Sequence, residues 1–344
     1  MQLSLESVRA VMGLRPDILP GLVLERAQPR TNRLAATVLT LVHAQGLRLG
    51  ATGKAQLAAA NARRTEYAHL TGIAAEHAHL TVLKGAAVEH CYPDGILRTS
   101  HDVDLLIPDE DELWAAVAAV DAARPGAEPA MSLLESPGRR DWAVALTWPA
   151  PESDLEYPYA AEFVTAAFTG DNSTVPLRPG HPDNPEATQL LCIAEELFQQ
   201  KPRGRDVLDA AVLMDATGDA GRPALLRAAA QWRLAPELLR LAEAVAAVPQ
   251  LRCRAAAGLA QDLAQPAAAE TARRSTGADR APRTRYGFFL GRGPALPRTV
   301  VEERQGLTMV RCPVGGFLLV DGPVVSPELV DAACRQWPQA ALPG

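Results

Sequence analysis

Two aspartates separated by one valine, Asp102-Val103-Asp104, head the apolar run DVDLLI (102–107), which closes at Pro108. Read as a strand, the run sends side chains at i and i+2 to one face, about 6.6 Å apart along the chain. Two carboxylates placed that way repel each other unless a cation lies between them. Such hard oxygen donors suit Mg2+ or Mn2+, and a pair of these ions can clamp the attacking and leaving oxygens of a phosphoryl displacement. Taken alone, a D-x-D also fits a solvated strand end. Upstream, Lys84-Gly85 falls where a short β-like run, HLTVL (79–83), gives way to AAVEHCY (86–92), about two turns of helix. Glycine there lets a ligand approach the backbone, the helix start offers N–H groups to phosphate, and lysine adds a compact charge. Arg98 lies in the loop between, within reach of a phosphate.

The elements that must position these groups follow from periodicity and punctuation. Residues 5–78 read as helical, and Pro93-Asp94-Gly95 is a turn. Asp109 to Asp111 cap the helix ELWAAVAAVDAA, with acidic residues at its positive end. WAVALTW (142–148) and SDLEY (153–157) read as strands. The Pro- and Gly-rich loop 175–186 marks a boundary, followed by helices over 187–264 with breaks near 201–204, 217–223 and 249. After a polar linker, 276–285, short β-like runs alternate with Gly/Pro turns, as in a small antiparallel sheet. The expected regions are helical (1–78), a core (79–175), a helical domain (186–270) and a C-terminal β segment (283–325).

Composition narrows the function classes. The chain has 344 residues with a formal net charge of −6, which argues against a dedicated duplex-DNA binder. Of 34 basic residues only Lys54, Lys84 and Lys201 are lysines, so each lysine draws attention. The apolar stretch 34–47 is too short to span a bilayer, which needs roughly 20 residues. With no secretory signal, and five scattered cysteines lacking any C-x-x-C, the expectation is a cytoplasmic protein with reduced thiols. His69, His77, His79, His90 and His101 crowd one third of the chain without H-x-x-x-H spacing; His101, beside Asp102, could orient a substrate or a metal-binding group. The arginine-rich stretch 272–285 lacks interleaved aromatics and reads as a solvated linker.

The combination Leu83-Lys84-Gly85, Arg98 and Asp102-Val103-Asp104-Leu105-Leu106-Ile107 resembles the nucleotidyltransferase superfamily with the DNA-polymerase-β-like fold. It is most similar to the bacterial branch labelled "uncharacterised nucleotidyltransferase". The resemblance covers about residues 30–215. It implies an α+β fold: a small mixed β-sheet core flanked by N- and C-terminal helical regions, with the C-terminal antiparallel β segment outside the match. It implies a third carboxylate from a later strand; Asp154-Leu155-Glu156-Tyr157 occupies that place, and either Asp154 or Glu156 can be the ligand. Glu156 stands where this branch usually has histidine. Lys201 to Met214 resembles a basic-R-D-x-x-D helix, in which Arg205 and Asp209 share a face. There Lys201, Arg203 and Arg205 would meet phosphates, or the helix would simply dock the second domain.

The implied activity is Mg2+-dependent transfer of an NMP from an NTP such as ATP to an acceptor hydroxyl or phosphate, a small molecule or biosynthetic peptide being favoured. Asp102, Asp104 and Asp154 or Glu156 would hold the ions; Lys84, Gly85, Arg98, Lys201 and Arg205 would hold the nucleotide. A toxin-like enzyme acting on tRNA or protein and a catalytically silent nucleotide-binding adaptor are the alternatives. Net acidity disfavours tRNA without removing it.

Overall fold

The computed structural model describes residues 3–28, 32–98, 100–150, 157–171, 173–277, 282–293, 296 and 298–338. The chain divides into two units, each assembled from separated segments. One comprises Met1–Arg64, Leu83–Ser100 and Ser173–Arg280; the other comprises Thr65–Val82, His101–Asn172 and Ala281–Gly344.

The first unit is helical. It contains α1 (Leu5–Val11), α2 (Pro20–Ala27), α3 (Ala35–Ala44), the first part of α4 (Ala51–Ala75) and α5 (Gly85–Glu89). Ser4 caps α1 by accepting from the Ser7 N–H, and α3 is buried along nearly its whole length, as its apolar run requires. The later helices α7 (Pro185–Glu195), α8 (Gly204–Gln231), α9 (Ala235–Ala246) and α10 (Arg254–Ser275) belong to the same unit; α6 is introduced below. Asn184 caps α7 by accepting from Ala187 at 2.7 Å, and Pro185 stands in the first turn, where a missing N–H costs nothing. The break anticipated within 217–223 is a kink in α8 at Gly218, whose φ of 56° is left-handed. The break near 249 is a short 3-10 turn, Pro249–Leu251.

The second unit is built on one sheet of nine strands: β1 (Thr81–Leu83), β2 (Val103–Leu106), β3 (Glu128–Ser136), β4 (Arg139–Trp148), β5 (Tyr159–Val164), β6 (Arg283–Gly291), β7 (Val300–Arg304), β8 (Leu307–Cys312) and β9 (Gly315–Val320). Their spatial order is β1-β2-β5-β4-β3-β6-β9-β8-β7. β2 pairs with β5 in parallel, and the pairings from β5 through to β7 are antiparallel. Alternation sets the faces: Trp142, Val144 and Leu146 of β4 are buried, while Ala143, Ala145 and Thr147 between them are half-buried. On the buried face lie α6 (Glu110–Ala123), through Leu113, Trp114, Val117 and Val120, and the later part of α4, through Tyr67 and Leu70. Trp114 meets Trp142 edge-on at 5.5 Å. Asp109 caps α6 as anticipated, accepting from Glu112 N–H at 2.9 Å.

Several expectations are corrected. The C-terminal strands are antiparallel, but they do not form a sheet of their own. β6 pairs with β3 and extends the existing sheet, because β3 has a second edge left to satisfy after pairing with β4. β3 itself and α11 (Pro327–Gln336) are additional elements. α11 packs on the opposite face from α6, where Met309, Leu318, Ala333 and Trp337 make a second small core. Of the strand expected at 153–157, residues 153–156 lie outside the described residues, and Tyr157 precedes β5, which starts at Tyr159. Among the described residues no helix is long and apolar enough to cross a membrane.

Candidate functional site

Asp102 immediately precedes β2 and Asp104 is its second residue. Val103 and Leu105 point into the core, so alternation places Asp104 on the opposite face, where it is half-buried. The parallel register sets Asp104 opposite Glu162 of β5, an exposed residue flanked by buried Ala161 and Phe163. Neighbouring strands run about 4.8 Å apart, so the two acidic positions adjoin on one face. Pairing continues past the strand end, where the Ile107 N–H donates to Val164 O at 2.8 Å. The sequence signal for Glu162 is a single charge inside the apolar run YAAEFV; its relation to Asp104 is a matter of register, which sequence alone leaves open.

One hydroxyl fixes the approach to this pair. The Tyr67 side chain, buried in α4, donates to the His101 carbonyl, the residue before Asp102, and accepts from the Ala160 N–H at 3.3 Å. It therefore ties the start of β2 to the start of β5. The Tyr67 ring meets Tyr159 edge-on at 5.6 Å, and the His101 ring lies 4.9 Å from that of Tyr157.

Asp154 and Glu156 lie outside the described residues. Among the described residues no group of three or more His, Cys, Asp or Glu could hold a metal ion. The donor chemistry of Asp102 and Asp104, carboxylate oxygen throughout, fits Mg2+ or Mn2+ better than a softer metal. Two carboxylates are a partial set, which Asp154 or Glu156 would have to complete.

The other expected groups belong to the first unit. Lys84 has a left-handed backbone, φ 51° and ψ −140°, followed by Gly85 at φ 41°. Its N–H donates to Gln189 Oε1, and its ammonium meets Glu196 Oε1 at 2.7 Å. Gln200 Nε2 donates to the other Glu196 oxygen at 2.8 Å. Burial alone would raise the Glu196 carboxyl, but the charge and hydrogen bond of Lys84, with Arg205 and Arg203 behind, hold it below the usual carboxylate range. α5 has only five residues, which limits what its start can offer a phosphate.

Arg98 is buried and closes its fork on Asp209, with Nε at 3.0 Å from Oδ1 and Nη2 at 2.7 Å from Oδ2. Tyr92 adds its hydroxyl to Asp209 at 2.7 Å, and Arg98 Nη1 donates to Ser100 Oγ at 3.0 Å. Burial, then the Asp209 charge, pushes the Tyr92 hydroxyl well above its ordinary pKa. Arg205 is also buried, with Nε 4.0 Å from carboxylate oxygens of both Asp206 and Asp209. Asp209 is thus shared as the helix spacing suggested, but its close partner is Arg98. Lys201 is exposed. The structure therefore gathers Arg98, Arg205 and Asp209 in one buried network, holds Lys84 on Glu196, and sets Asp102 and Asp104 on the sheet of the second unit.

Comparison with protein-family models, with curated proteins and with solved structures finds no match to the chain.

Proposed function

We propose that the chain is a Mg2+-dependent nucleotidyltransferase that moves an NMP from an NTP to an acceptor hydroxyl or phosphate, most readily of a small molecule or biosynthetic peptide. The observation that supports this reading most is the placement of Asp104. It stands on the face of β2 opposite the core, one residue beyond buried Val103, with Asp102 at the preceding alternate position and Glu162 in register beside it. Carboxylate oxygens adjoining on one strand face are the donors that a hard divalent cation takes.

A divalent cation bound here would neutralise phosphate charge and lower the pKa of the acceptor hydroxyl. The chain's own contribution is to hold the oxygens in place. The parallel β2–β5 pairing fixes their register, Val103 and Leu105 anchor the strand in the core, and Tyr67 pins the backbone just ahead of Asp102. Positioning and charge compensation supply most of the rate in phosphoryl transfer, so few side chains need to exchange protons. Asp154 or Glu156 is assigned the third carboxylate by resemblance, and Glu162 is the further candidate from register. In the first unit Lys84 is the cation assigned to phosphate, and exposed Lys201 remains available for the same task. Arg98 and Arg205, buried beside Asp209, act in this reading by shaping the segments that carry them.

The test is incubation with each labelled NTP, Mg2+ and candidate acceptors or host extract. Wild type transfers label, and Asp104→Asn reduces transfer by at least about 100-fold, the scale of losing a charge-stabilising group at a reacting centre. Undiminished transfer by Asp104→Asn sinks the assignment. NTP binding without transfer would instead mark a silent adaptor.

A further inference from the structure

Around Lys84 the first unit places Glu196, with Asp206 near it, among the cations Lys84, Arg203 and Arg205. Glu196 takes the Lys84 ammonium on one oxygen at 2.7 Å and the Gln200 amide on the other at 2.8 Å. Arg203 and Arg205 also draw on its charge. The two side chains of the Lys84–Glu196 pair are 24% and 23% exposed, so a dissolved anion can reach them. The Lys84 N–H is turned to Gln189, which leaves the ammonium as the group by which this residue would recognise an anion.

An ion pair about a quarter exposed to water is only partly screened, and a polyphosphate offers the same ammonium several charges in place of one. If the ammonium leaves, Glu196 keeps the Gln200 hydrogen bond and the field of Arg203 and Arg205, which Asp206 partly offsets.

We propose that Glu196 is a built-in stand-in for a phosphate-bearing anion: its carboxylate occupies Lys84 until a polyphosphate displaces it. The choice of polyphosphate rests on the nucleotidyltransferase reading; the displaceable pair rests on the contacts themselves. The consequence is a site that is charge-balanced when empty and is tuned toward weaker binding by its own carboxylate.

With only three lysines in the chain, the test can be made on the intact wild-type protein. Reductive 13C-methylation keeps the amines charged, and the signals of Lys54, Lys84 and Lys201 are assigned by single Lys→Arg variants. In metal-free titration with inorganic tripolyphosphate, the Lys84 signal shifts saturably while that of Lys54 stays in place. By calorimetry, folded Glu196→Gln binds tripolyphosphate about two- to fivefold more tightly, the scale of removing one partly exposed competing charge, and Lys84→Met does not bind. A Lys84 signal that stays still, or one that moves no more than Lys54, overturns the proposal. So does unchanged or weaker affinity in Glu196→Gln with a wild-type melting curve; should that variant not fold, the wild-type titration decides. Asp104→Asn tests the transfer reaction and the metal-free titration of wild type tests the displaceable pair, so the two readings can fail separately.

Discussion

Asp209 receives the Arg98 fork and the Tyr92 hydroxyl while almost wholly excluded from water, the Arg98 and Asp209 side chains being 2% and 1% exposed. Removing one member of such a pair leaves the other charge buried and uncompensated. Asp209→Asn should cost about 3–5 kcal/mol in urea denaturation, and joint replacement of Arg98 and Asp209 by apolar residues of similar size should cost less. Glu196 supplies a pH-dependent counterpart. Its folded-state pKa is depressed, so it contributes stability above the ordinary carboxylate value and loses it as pH falls through the depressed one. The thermal midpoint of wild type should therefore fall further than that of Glu196→Gln between roughly pH 5 and pH 3. At this scale the D-x-D, the Lys-Gly turn and the Arg205–Asp209 proximity were legible, because each is set by spacing along one element. The Arg98–Asp209 pair was not: its partners lie 111 residues apart and meet only through packing.

Elements with strong local signals stood where their sequences placed them. Asp109 starts α6, apolar alternation defines β4, and the Gly218–Pro223 stretch kinks α8. α11 carried an equally readable start, Ser326-Pro327, with the Ser326 hydroxyl accepting from Leu329. β3 was harder, since Pro129 and four polar residues dilute its alternation. Its pairing with β6 is less visible still and depends on a glycine. A Cβ on Gly287 would collide with the Met131 side chain of β3 and come within 3.3 Å of Phe317 of β9. Gly287→Val should therefore destabilise the second unit by about 1–3 kcal/mol, measured by denaturant unfolding, through overpacking between β3 and β9. Pairing Gly287→Val with Met131→Ala should recover part of the loss.

At the scale of the molecule, both units draw on segments far apart in the chain. The core on the α6 face of the sheet includes Val310, Cys312, Phe317 and Leu319 from the last segment, beside Leu133 and Trp142 from the middle one. A chain ending at residue 280 would expose the β3 edge and much of that face. It should aggregate or show molten behaviour, with near-UV circular dichroism lost and far-UV signal partly kept. The alternation of helical and strand-bearing stretches along the chain was legible in the sequence, whereas the joining of all the strands into one sheet was not, since alternation says nothing about partners. The sheet's outer strands blunt their exposure in different ways: β1 has only three residues, and β7 carries Glu302, Glu303 and Arg304.

The β3–β6 seam also sets a timetable for synthesis. Glu135 meets Arg285 across 150 residues, so at ribosomal speeds of about 5–20 residues per second β3 waits roughly 8–30 s for its neighbour. Through that interval an unsatisfied strand edge and an uncovered apolar face travel with the nascent chain. Holdase chaperones that shield such surfaces should therefore raise the yield of folded protein.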